Sequence, residues 1–162
     1  MSTLAASLRS SVGKKYLMGF TGLVWFGFTI GHLIGNYLLI LGRKPFNEYA
    51  YFLEHVGHGK LIFVAEFFLA LTLLIHVSNG IQVMLDKGNA RPTGYQVSGD
   101  AKGSSKKGIA SQSMIVTGIL LLGFIIFHIY SFKFGNKAEI HMDGYVEPVK
   151  DLYQLVVDSF KN

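Results

Sequence analysis

Three apolar runs, Tyr16 to Gly42, Leu61 to Leu85 and Gln112 to Phe132, each with at most one internal charge, dictate most of what this chain can become. A helix needs about 20 apolar residues to cross roughly 30 Å of hydrocarbon at about 1.5 Å per residue, and each run is long enough. Charged residues make up only 15% of the 162 positions, against about a quarter in a typical soluble domain. The expected fold is all-α: a transmembrane helical bundle with three spans, forming a single domain over residues 1–162. The sequence has no cysteine, so this chain supplies no disulfide, no thiolate metal site and no iron–sulfur ligand. A redox centre built here must use histidine.

The residues before the first run include Arg9, Lys14 and Lys15 but no short apolar core with a small-residue cleavage site, so the first span is expected to stay uncleaved. Lys14 and Lys15 abut the first span, Lys87 and Arg91 follow the second, and Lys106 and Lys107 precede the third. By the positive-inside rule this places the N-terminus in the cytoplasm. Residues 43–60 put Phe46, Tyr49, Leu53 and Val56 at helical spacing, which predicts a short helix lying in the outer interface. Residues 86–111 are rich in Gly, Ser and Lys and lack an apolar period, the composition of a cytoplasmic loop. In the tail, DLYQLVVDSF sets Leu152, Leu155, Val156 and Phe160 on one face, as an interfacial segment or the lead-in to a further span would.

Three of the six histidines, His32, His76 and His128, fall one to each apolar run. An imidazole in hydrocarbon is costly and marks function. At about 1.5 Å per residue, His32 and His76 lie roughly 4 Å past the centres of their runs and His128 roughly 8 Å past its own. Successive spans run in opposite directions, so His32 and His128 share the outer half of the membrane and His76 lies in the inner half. Facing helices that offer two imidazoles at one level meet the requirement of a bis-histidine haem, and His76 would serve a second haem nearer the cytoplasm. Small and polar residues lie three or four positions from each histidine: Thr29, Gly35 and Asn36; Thr72, Asn79 and Gly80; Ser131. Phe28 shares the His32 face, as does Trp25, which could pack a porphyrin edge or simply the core. His55, His58 and His141 fall in connectors and read as solvated or interfacial.

The stretches SSVGKKYLMGFTGLVWFGFTIGHLIGN, FNEYAYFLEH and HVSNGIQVMLDKGNARPTGY resemble the single-chain, di-haem cytochrome b subunit of bacterial succinate dehydrogenase and fumarate reductase. The resemblance covers nearly the whole chain. It implies a membrane anchor for a flavoprotein and an iron–sulfur protein, passing electrons between iron–sulfur clusters and a membrane quinone through haem b. On that reading the location is the bacterial cytoplasmic membrane. Residues His32 and His128 become axial ligands of the distal, outer haem, and His76 a ligand of the proximal one. Family members have five transmembrane helices and a further histidine on the fourth, whereas this sequence offers three runs and no second histidine at the depth of His76. The expectation is an incomplete chain, the alternatives being helices contributed by another chain or a single haem.

Dicarboxylate chemistry would then belong to the soluble partners, and the chain would be part of an enzyme only as a subunit. Arg91 and the ARPTGY loop are the expected surface for the iron–sulfur subunit. Quinone chemistry also exchanges protons, and Glu66 is the one carboxylate inside a run, about 10 Å outside its centre. It is a candidate proton relay, with Glu54 as a second nearer the interface; a shallow carboxylate reaching water explains Glu66 as well. No nucleic-acid partner is expected. Two other readings stay open: the haem b anchor of another respiratory dehydrogenase, and a cofactor-free transporter or assembly subunit whose histidines relay protons or pack.

Overall fold

The computed structural model describes residues 3–89 and 109–161. A short helix α1 (Thr3–Arg9) leads into the long α2 (Ser11–Leu41), followed by α3 (Arg43–His55), α4 (Lys60–Asn89), α5 (Ile109–His128) and α6 (Leu152–Ser159). A π turn over Ile129–Lys133 extends α5, and a two-residue antiparallel ladder pairs Glu139 with Lys150 and Ile140 with Val149. Among the described residues three stretches are long and apolar enough to cross a membrane: Ser11–Leu41, Lys60–Asp86 and Ser113–Lys133. The all-α bundle of three spans is therefore what the chain forms.

The first span starts earlier than Tyr16, for a local reason. The Ser10 hydroxyl accepts the Gly13 amide at 3.0 Å and caps α2 there, so Lys14 and Lys15 are helical. Lys14 reaches Asp86 at the far end of α4 at 2.8 Å, tying the two helices at one rim. At the opposite rim α2 ends at Gly42, whose φ of 112° is open to glycine and strained for other residues, and α3 begins at the next residue. Gly35 is buried on α2 where Tyr49 of α3 crosses it; a Cβ there would stand 2.7 Å from the Tyr49 ring. The helix expected within 43–60 is present.

Helices α2 and α4 pack along each other, and α3 packs on both and on α6. Among the described elements α5 has no comparable backbone approach to α2 or α4, so the third span stands off from the other two. Large apolar side chains such as Phe26, Leu33, Phe67 and Leu120 are exposed around the bundle, as lipid-facing residues must be.

The tail folds back on α3 through one buried carboxylate. Asp151 caps α6 by accepting the Gln154 amide, receives the Asn47 side-chain amide at 2.9 Å, and pairs with the Arg43 guanidinium. Asn47 in turn accepts the Tyr153 amide at 2.9 Å. Burial pushes the Asp151 carboxyl up, but hydrogen bonds from Arg43, Asn47 and the Gln154 amide outweigh it and hold its pKa below the ordinary carboxylate value. The loop expected over 86–111 lies for the most part outside the described residues, as does its proposed contact residue Arg91; α4 keeps its helix to Asn89 and α5 has begun by Ile109.

Candidate functional site

The helix bounds fix the depth of each histidine. Counting from the middle of each span at about 1.5 Å per residue, His32 lies about 9 Å toward the α3 rim and His128 about 7.5 Å toward the same rim. The earlier start of α2 moves its centre and brings the two closer in level than the apolar runs alone imply. His76 lies about 4.5 Å on the other side of its midpoint.

The side chains meet accordingly. The imidazoles of His32 and His128 are 5.7 Å apart between ring centroids, with their planes at 88°. Two metal–nitrogen bonds of about 2 Å each, plus a ring radius of about 1 Å at either end, set opposed imidazoles about 6 Å apart, which is close to this separation. Phe28 stacks on His32 at 5.3 Å, and Phe124 and Phe132 flank His128 at 5.4 and 4.9 Å. Aromatic rings thus lie beside both imidazoles, one on His32 and two on His128. Trp25 packs edge-on against Phe28, and its indole nitrogen is buried without a hydrogen-bond partner among the described residues. Two imidazoles at one height, apolar rings beside them and an indole N–H without a partner among the described residues are a set of groups that suits a flat, iron-bearing macrocycle with polar edges. Among the described residues no group of three or more His, Asp or Glu gathers into a metal cage.

His76 faces the other way, onto α2. Its Nδ1 lies 3.0 Å from the Thr21 hydroxyl, and its ring edge rests against Gly22, where a Cβ would stand 3.4 Å from Cε1. The structure does not bring His76 to the other two histidines. The residues flanking it behave as helix-packing groups: Thr72 bonds back to the Phe68 and Leu69 carbonyls, and Asn79 donates to the Ile75 carbonyl. Likewise Asn36 donates to the His32 carbonyl and Thr29 to that of Trp25, while Gly35 serves the α3 crossing rather than the imidazole face. His55, His58 and His141 are exposed, as expected of connector residues.

Glu66 is ion-paired with Lys133, the last residue of the π turn, and both side chains remain partly exposed. Glu54 pairs with Lys150 of the ladder at 3.2 Å. Sequence reasoning found the two carboxylates and missed both lysines. Lys133 directly follows the third apolar run, on the rim from which the second run starts, and that shared rim was the available signal. Thr21 was missed too, since no spacing within one helix reveals a partner on another.

Residues 16–99, just over half of the chain, match the family model described as the succinate dehydrogenase/fumarate reductase transmembrane subunit. Neither curated proteins nor solved structures give a match.

Proposed function

Because the chain belongs to the succinate dehydrogenase/fumarate reductase transmembrane subunit family, we propose that it carries electrons between an iron–sulfur partner and membrane quinone through haem b held by His32 and His128. The observation that carries this reading is the 5.7 Å approach of those two imidazoles from different spans. Haem would supply reversible one-electron storage inside the membrane.

The chain's own residues do the rest. His32 and His128 offer imidazoles from two spans at one height; Phe28, Phe124 and Phe132 lay apolar rings against them; the Trp25 indole N–H offers a donor to whatever polar edge lies against it. His76 would hold a second haem on the opposite side of the midplane. On the α3 rim Glu66 and Glu54 exchange protons with quinone, each carboxylate ion-paired with a lysine, Lys133 and Lys150. Dicarboxylate chemistry resides in a flavoprotein subunit that docks with the iron–sulfur subunit. The N-terminus is cytoplasmic in a bacterial inner membrane, as the lysines at the α1–α2 end suggest.

A dithionite-reduced minus air-oxidised spectrum of membranes carrying the complex tests this. The expected result is a haem b α band that His32→Ala and His128→Ala each diminish with the protein still present by immunoblot. Absence of any haem from the purified complex would overturn the reading in favour of a cofactor-free membrane protein.

A further inference from the structure

Thr21 is 2% exposed in the middle of an apolar helix, and its hydroxyl has one proton to give. That proton is directed at the Leu17 carbonyl, 2.7 Å away, with Met18 a longer second acceptor at 3.2 Å. With that proton on the Leu17 carbonyl, the hydroxyl oxygen meets His76 Nδ1, 3.0 Å away on α4, as an acceptor, in the tautomer whose proton is on Nδ1. Among the described residues no hydrogen bond reaches Nε2. We infer that Thr21 is a positioning residue for His76: it holds the proton on Nδ1 and leaves the Nε2 lone pair free to bind a metal.

The inference rests on the proposed role of His76 as a haem ligand and names what prepares it. A ligating histidine depends on a partner for its other nitrogen, which selects the tautomer, fixes the ring and raises the basicity of the coordinating atom. Such partners are commonly carboxylates or backbone carbonyls. Here the backbone acts at one remove, because the Leu17 carbonyl takes the hydroxyl proton and so turns the Thr21 oxygen into an acceptor. Gly22, beside it, lets the ring lie against α2 with Cε1 3.4 Å from where a Cβ would stand. Valine is the isosteric replacement that removes the acceptor, and serine retains it.

Redox titration of the haems in the assembled membrane complex, followed optically and by low-spin ferric EPR, tests the inference in Thr21→Val, Thr21→Ser and His76→Ala. His76→Ala should remove one low-spin signal; if it removes none, the ligand reading fails and the inference with it. Given that loss, Thr21→Val should weaken the preference of the same haem for the ferric state by up to ten-fold, which raises its midpoint potential by up to about 59 mV, and should shift its EPR g values. Thr21→Ser should leave both unchanged. If Thr21→Val keeps the haem with native potential and g values, the inference is overturned while the ligand reading stands. If Thr21→Val loses the haem, Thr21→Ser decides: native behaviour supports the hydroxyl's role, and equal loss overturns it.

Discussion

Asn47 is completely buried and joins two helices far apart in sequence by donating its side-chain amide to the Asp151 carboxylate at 2.9 Å. The same side chain accepts the Tyr153 amide at the start of α6, so one residue of α3 satisfies both a carboxylate oxygen and a backbone donor.

Asn47→Ala strips a buried carboxylate of one partner and orphans the Tyr153 amide. A cost of about 1–3 kcal/mol is expected for leaving such groups unsatisfied. Hydrogen exchange in nanodiscs checks this: amides of α6 and the β ladder should exchange faster, while those in the middle of α2 and α4 hold their protection.

The Asp151 carboxyl is held below its ordinary value in the folded protein, so its contribution is present above the unfolded pKa of about 4 and is lost as pH falls through the lower folded pKa. Docking of α6 on α3 should therefore be insensitive to pH around neutrality and weaken only under acid. Limited proteolysis at stepped pH, with an acid-active protease, should show the C-terminal segment released late in the acid range, and Asp151→Asn should flatten that dependence.

Gly35→Ala should lower stability by about 1–3 kcal/mol, since its new Cβ meets the Tyr49 ring. Thermal unfolding in detergent of the single variants and of Gly35→Ala with Tyr49→Ala measures it. The double variant should be less damaged than the sum of the singles, because removing the ring removes the clash.

How far the sequence reveals this architecture depends on whether the cause is local. The three spans follow from hydropathy, and the shared height of His32 and His128 follows from counting residues along rigid helices. Their actual encounter requires α2 and α5 to turn the right faces to each other, which apolar runs on all sides of a span do not encode. Asp151 could be read as a helix cap before LYQL. Its link to Arg43, 108 positions away, could not, because nothing local ties the two. The same holds for Thr21 and His76, 55 positions apart. The ladder at Glu139–Ile140 and the π turn also escaped the reading, being too short to show a period.

Lys133→Met should destabilise the third span by leaving the Glu66 carboxylate without its counter-ion at membrane depth. Adding Glu66→Gln should recover part of the loss, giving a coupling of about 0.5–3 kcal/mol in a double-mutant cycle. Equal and additive losses would show that the two charges act separately.

At the Gly42 junction one residue ends α2 and α3 starts immediately. No slack separates the upright rod from its crosspiece, and the Gly35–Tyr49 crossing braces the angle from inside. The C-terminal segment clasped at Asp151 is therefore joined to the first span through α3, with no free linker between α2 and α3.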